Sequence, residues 1–238
     1  TDREMNAVDS EHQKNLQSDA HRIFQLHKSL AAETHPFNKF GTGSRKTLDK
    51  PHVRDALLAF HKKWYSANLM ALCVVGPQTL DTLQNWVEAK FASIPNRNTP
   101  LPSTEILTPG PVRQVGPYPD AMGPHRIFVT SIKDLRYLEL GWVIPPFHSS
   151  YKTKPGHFVA HLVGHEGRGS LLSLLKEKGW VDSLAAGPTK SADTFGTFEV
   201  NMELTAEGLG HENEIINLVF AYLGLIEKSG IEKCIFDE

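Results

Sequence analysis

The sequence predicts an α+β protein with helices packed on mostly antiparallel sheet. Two kinds of segment point there: stretches whose apolar residues recur at helical spacing, and shorter runs rich in Val, Ile, Leu and aromatics that have strand length. A third observation sets the organisation. Eight of the fifteen prolines fall between Pro95 and Pro124, and because proline fixes φ and removes a backbone donor, such a stretch favours extended backbone. Residues 108–124 are therefore read as a linker between a first part, 1–107, and a second, 125–238, with room for an edge strand near Val112 to Val115.

The first part opens with a helical pattern through Lys28, carried by Leu16, Ala20, Ile23, Phe24 and Leu26. His35-Pro36 and Gly41-Thr42-Gly43 break it into a loop. A second helix is expected from Pro51 to Tyr65, with Val53, Ala56, Leu57 and Phe60 on one face. Asn68 to Val75 has the continuous apolarity of a buried strand and places Cys73 inside it as a small hydrophobe. Thr79 to Ala92 reads as a third helix, capped by Thr79 or Asp81 and lined by Leu83, Trp86, Val87 and Phe91.

In the second part, Arg126 to Ile132 and Leu135 to Ile144 have strand composition with Asp134 as a turn, which predicts a hairpin. Pro155 to Gly164 and Ser170 to Lys178 read as short helices, separated by Gly164-His165-Glu166-Gly167-Arg168-Gly169. Trp180 to Ala186 and Phe195 to Leu204 return to strand character. Glu207 to Lys228 is an amphipathic helix carrying Ile215, Ile216, Val219, Phe220, Leu223 and Ile226. The aromatics Phe128, Tyr137, Trp142 and Phe147 fall in or beside the strand-like segments, where burial on a sheet face is the default.

Composition narrows the function. The chain has 238 residues, 40% hydrophobic and 22% charged, with a formal net charge of -2, so it offers no basic footprint for nucleic acid and no polybasic patch for a membrane. No apolar run is long enough to span a bilayer. The two cysteines, Cys73 and Cys234, do not make a disulfide framework, which favours a reducing, cytoplasmic setting.

The most informative stretch is Arg3 to His12. At about 100° per residue, seven positions return Glu11 to within roughly 20° of Glu4, so two carboxylates share one helical face two turns apart. Such a pair suits a metal-ligating carboxylate with a supporting acid, and equally a solvated face carrying two acids. A second constellation is His161, His165 and Glu166. Two histidines at i/i+4 are a common zinc arrangement, and a glycine-loosened helix end with Ser170 capping the next helix is the alternative. His125, His148, His157 and His211 read as isolated surface or core histidines. Gly41-Thr42-Gly43-Ser44-Arg45-Lys46 lacks the spacing of a phosphate-binding loop, and no serine or cysteine has the partners of a catalytic nucleophile.

Residues Arg3 to Asn15, with NAVDSEH at their centre, followed by His35 to Gly43 (HPFNKFGTG), resemble the insulinase family of inverted-motif zinc peptidases. In that family an HxxEH helix supplies two histidine ligands and a general-base glutamate, and a glutamate in the segment that reads here as NAVDSEH completes the zinc shell. The resemblance thus implies that Glu11 is a zinc (Zn2+) ligand and Glu4 its supporting acid. HxxEH itself occurs nowhere in the sequence, so no catalytic residue is assigned within it. The chain is then expected to be an internal fragment, inactive alone, of a zinc metalloendopeptidase that cleaves peptides of limited size in an enclosed chamber.

The same family is built from duplicated α+β domains, which implies that 1–107 is the later part of a zinc-site-bearing domain and 125–238 the earlier part of a substrate-chamber domain. Gly156 to Trp180 resembles the stretch of that second domain that holds the amino-terminal end of peptide substrates. By that match His161, Gly164, Glu166 and Leu184 line an anchoring exosite, although Pro188 in Leu184-Ala185-Ala186-Gly187-Pro188 departs from the family's glycine-rich strand. The implied partners are peptide substrates, the parent protease's remaining domains and a second copy in a homodimer. The competing expectation is a non-catalytic insulinase-like subunit that serves as a peptide-binding scaffold.

Overall fold

The computed structural model describes residues 2–101, 116–118, 123–192 and 194–230, arranged in two compact units, Thr1–Arg113 and Gln114–Glu238. The expected edge strand near Val112, most of the linker and Cys234 lie outside the described residues.

In the first unit the opening helical pattern is two helices, α1 (Asp2–Leu16) and α2 (Asp19–Ser29), because the chain turns at Gln17 and Ser18 takes an extended conformation ahead of α2. α2 is fixed at its start by Asp19, which is buried and bonded at 3.0 Å to Arg22. A short helix that periodicity does not reveal, α3 (Arg45–Leu48), follows the Gly41–Gly43 loop; the Thr47 hydroxyl accepts the Ser44 amide at 2.9 Å. α4 (Val53–Trp64) occupies most of the expected second helix, and α5 (Leu80–Phe91) matches the third, with the Thr79 hydroxyl accepting the Thr82 amide as N-cap. Polar bonds stitch the end of α4 to the segment after α5. The Arg97 guanidinium donates to Tyr65 O at 2.6 Å, the Arg97 amide to the buried Ser66 hydroxyl at 2.8 Å, and Asn68 Nδ2 to Thr99 O at 2.7 Å.

Two strand expectations are corrected. Met70 to Val75 forms no strand, Val75 is 92% exposed, and Cys73 is exposed instead of buried. Arg126 to Ile132 likewise forms no strand among the described residues, and Phe128 is 80% exposed, so the expected hairpin across Asp134 is not formed there. Both runs have strand composition, but a strand exists only where a neighbour accepts its backbone bonds, and no described residue supplies that ladder. The expected apolar face of α4 is also uncovered among the described residues, with Leu57 and Phe60 exposed.

The second unit is a three-stranded antiparallel sheet in the order β1 (Tyr137–Ile144), β3 (Gly196–Leu204), β2 (Val181–Ser191). Register puts Leu138 opposite Met202, Leu140 opposite Val200, Trp142 opposite Phe198 and Leu184 opposite Met202. These side chains make the apolar face. α6 (Pro155–Val163), α7 (Leu171–Glu177) and α8 (Glu212–Ser229) pack on it through Val163, Leu171, Leu172, Leu175, Ile215 and Val219, which form one core with the strands. Trp142 meets Phe220 edge-on at 6.0 Å and lies 6.4 Å from Phe198, whereas Tyr137 is only half-buried. β2 runs beyond its expected end at Ala186 through Pro188; as an edge strand it tolerates a missing donor, and its register with β3 shifts just after the proline.

Candidate functional site

Glu4 and Glu11 sit on α1, both exposed, and neither has an ion pair or hydrogen bond among the described residues. The opposite side of the helix is occupied. Met5 is buried, Asp9 Oδ1 accepts the Arg45 amide at 2.7 Å, and Asn6 Oδ1 accepts the Arg45 guanidinium at 2.6 Å. Asp9 lies roughly 150° around the helix from the two acids, so the contacts that hold α1 to α3 turn Glu4 and Glu11 away from them. Glu11 borders a cavity of about 660 Å³ whose walls include Leu16, Phe24 and Phe40, with His12, His21 and Arg22 contributing polar edges. The His12 ring meets Phe40 edge-on at 5.2 Å, closing one side. An unpaired carboxylate on a rigid helix beside a partly apolar cavity is a fit donor for a divalent cation. Zinc takes four ligands, and carboxylate oxygen is one of the donor types it accepts.

In the second unit a cavity of about 510 Å³ lies between the end of α6 and β2, lined by His157, Ala160, His161, Gly164, His165, Glu166, Ala185 and Ala186. His161, Gly164 and Glu166 are thereby brought to one groove. Leu184 is not: it is 7% exposed and belongs to the core, opposite Met202 in register, while Ala185 and Ala186 border the groove where the end of α6 meets β2. Gly164 ends α6 where a Cβ would lie 2.9 Å from Ala160 O, so a side chain here would press on the carbonyl of the helix's own last turn, whereas Ala186 N on the strand would stand at an ordinary contact distance of 3.8 Å. The three imidazoles and Glu166 are all exposed, leaving them accessible to a ligand. The rings of His161 and His165 are 6.0 Å apart, edge to face.

Sequence reasoning passes over His157 as isolated, yet it precedes His161 by four residues, the spacing that places both on one face of α6. Ala185 and Ala186 carry no chemical signal and appear only through the fold. Of the other histidines, His211 stacks on Trp180 at 4.3 Å and His125 bonds Gly123 O at 3.0 Å. No helix among the described residues is long and apolar enough to cross a membrane.

Helices packed on a small antiparallel sheet define an α+β fold, and comparison with known proteins gives its family. Residues 52–238 match the peptidase M16 inactive domain, and the chain belongs to that family. The whole chain is 42% identical to insulin-degrading enzyme of Drosophila melanogaster over 244 residues and 43% identical to that of Homo sapiens over 243, covering 24% and 23% of those proteins. Its fold is similar to the crystal structure of pitrilysin, with a TM-score of 0.80 and 25% identity over 99% of this chain and 25% of that one. The chain thus spans about a quarter of the length of these relatives.

Proposed function

We propose that this chain works within a zinc metalloendopeptidase of the insulinase type, contributing Glu11 as a zinc ligand, Glu4 as its supporting acid, and the α6–β2 groove as an anchor for the amino-terminal end of peptide substrates. The observation that carries the reading is Glu11, an unpaired carboxylate held outward on α1 at the rim of a cavity, within a sequence similar throughout its length to insulin-degrading enzymes. Residues 1–107 are then the later part of a zinc-site domain, 108–124 its linker and 125–238 the earlier part of a substrate-chamber domain. Two histidine ligands and a general-base glutamate come from an HxxEH helix outside these residues.

When bound, zinc polarises the scissile carbonyl and lowers the pKa of a water molecule. The chain's own residues do the rest by position. Glu11 balances charge and fixes one coordination direction, and Glu4, two turns away, raises the local negative potential that favours a cation. In the groove, Glu166 accepts the peptide's α-ammonium group as a charge-assisted bond, and the outer edge of β2 beside Ala185 and Ala186 pairs with the following backbone, with Pro188 withholding one donor. His161 and Gly164 shape the groove, and Leu184 supports it from the core side.

The test uses the intact protein. Glu11→Gln should abolish stoichiometric zinc and lower chelator-sensitive peptide hydrolysis by at least about a hundredfold, with Glu4→Gln costing about tenfold to a hundredfold. Unchanged zinc content in Glu11→Gln would overturn the assignment. A second reading, a non-catalytic peptide-binding scaffold, is favoured by one observation: the matched residues 52–238 belong to an inactive-domain family and include the groove but not Glu11. It predicts peptide binding without zinc and without hydrolysis in the wild type.

A further inference from the structure

The loop that carries Glu166 is held by its neighbour. The Gly167 amide donates to Nδ1 of His165 at 3.1 Å, closing a three-residue turn with Glu166 at its centre. The imidazole packs so tightly on Gly167 that a Cβ there would come within 2.4 Å of His165 Cε1. A ring nitrogen accepts a hydrogen bond only while it bears no proton, and histidine is the side chain whose charge ordinarily changes between about pH 5 and pH 8.

We propose that His165 is a positioning residue that holds Glu166 in the groove while its imidazole is neutral, so that protonation opens the turn and weakens anchoring of a peptide's amino terminus. This rests on the reading of the groove as an amino-terminus site. A protonated Nδ1 becomes a donor facing another donor, the Gly167 amide, and the turn loses the bond that defines it. The ligand class is a peptide with a free α-ammonium group, which Glu166, the one carboxylate lining the groove among the described residues, neutralises. The other titratable groups at the groove are His157 and His161 on α6, with Arg168 following on the loop. β2 presents only Ala185 and Ala186, and α8 reaches α6 through Tyr222, whose hydroxyl donates to Leu162 O at 3.3 Å. Protonation of His157 and His161 adds repulsion toward an ammonium group but leaves the 165–167 turn intact, which makes the two effects separable.

The decisive variant is His165→Asn. Asparagine can accept the amide two residues on, as an Asx turn, with its side-chain oxygen standing where Nδ1 stands, and it does not titrate. Binding of a cleavage-resistant fluorescent peptide with a free amino terminus, and of its N-acetylated twin, is measured by anisotropy on the intact protein at about pH 7.5 and about pH 5.5. Wild type should favour the free peptide by about tenfold at the higher pH and lose most of that advantage at the lower. His165→Asn should keep the advantage at both, and His165→Ala should lack it at both. If His165→Asn loses the advantage with falling pH as wild type does, the other imidazoles are responsible and the proposal fails. A wild-type advantage that is independent of pH also overturns the His165 role while leaving the groove reading intact; no advantage at either pH overturns both.

Discussion

Asp9 Oδ1 accepts the backbone amide of Arg45 at 2.7 Å, and this bond joins two segments thirty-six residues apart at the first turn of α3. The amide is one of the donors a helix leaves unpaired at its start, so Asp9 acts as a remote cap. Its removal should therefore cost about 1 kcal/mol, as loss of a helix cap does. Asp9→Ala is expected to lower the unfolding free energy by that amount, read as a lower denaturation midpoint, and Asp9→Asn, which keeps an acceptor oxygen, to change it by about a few tenths of a kcal/mol at most. An unchanged midpoint in Asp9→Ala would show that α1 is held to α3 by Met5 and the Arg45–Asn6 bond alone.

The two units should respond differently to loss of apolar side chains. Leu175 is fully enclosed between α7, the sheet and α8, so Leu175→Ala leaves a cavity and is expected to destabilise the second unit by about 2–5 kcal/mol. Leu57 is 58% exposed on α4, and Leu57→Ala should stay within about 0.5 kcal/mol. Denaturant unfolding of the two variants checks the contrast. Equal effects would mean that the α4 face is covered in the working protein.

That contrast also explains what the sequence makes legible. Helices declare themselves through local periodicity and caps: Thr79 caps α5 and Ser170 caps α7 through the Ser173 amide, both readable from the residues at hand. Strands do not, because composition reports only that a segment suits a sheet. Met70 to Val75 and Arg126 to Ile132 carry that composition and form no strand among the described residues, whereas Tyr137 to Ile144 carries it and pairs with β3. The short α3 escapes periodicity because four residues make barely one turn. At the groove, His161 and Glu166 stand out by chemistry, but Leu184's place in the core follows from its register against Met202, which no sequence pattern states.

His35 predicts an acid-sensitive first unit. Its side chain is 6% exposed, its Nδ1 accepts the Phe37 amide at 3.0 Å, and burial pushes its pKa below the usual 6.5. The unfolded chain therefore takes up this proton first. Stability contributed by the neutral imidazole is complete above about pH 6.5 and falls as pH drops toward the lowered folded value. His35→Asn, which keeps an acceptor two residues before the amide, should flatten this part of the melting temperature against pH. A slope that survives in His35→Asn would assign it to other groups.

Tyr118 and Tyr137 predict the opposite limb. Burial first, and then the carboxylates of Glu199 and Glu139, push both phenols up to about 12; for Tyr118 Glu199 is the stronger of the two, for Tyr137 Glu139. β1 and β3 bring these acids onto the same sheet face, where Glu199 also holds Lys190 at 2.9 Å. A phenol whose folded pKa is raised binds its proton more tightly than in the unfolded chain. Its contribution is complete below about pH 10, where both states are neutral, and above that the unfolded chain ionises first, so stability falls until the folded value near 12 is passed. Ultraviolet titration of the native protein should therefore show Tyr118 and Tyr137 ionising late, near pH 12, with Tyr222 also raised by burial. Glu199→Gln should bring both down, since it removes a nearby negative charge and leaves the Lys190 ammonium without that partner. Phenolate absorbance that rises for all five tyrosines together near pH 10 would sink the assignment.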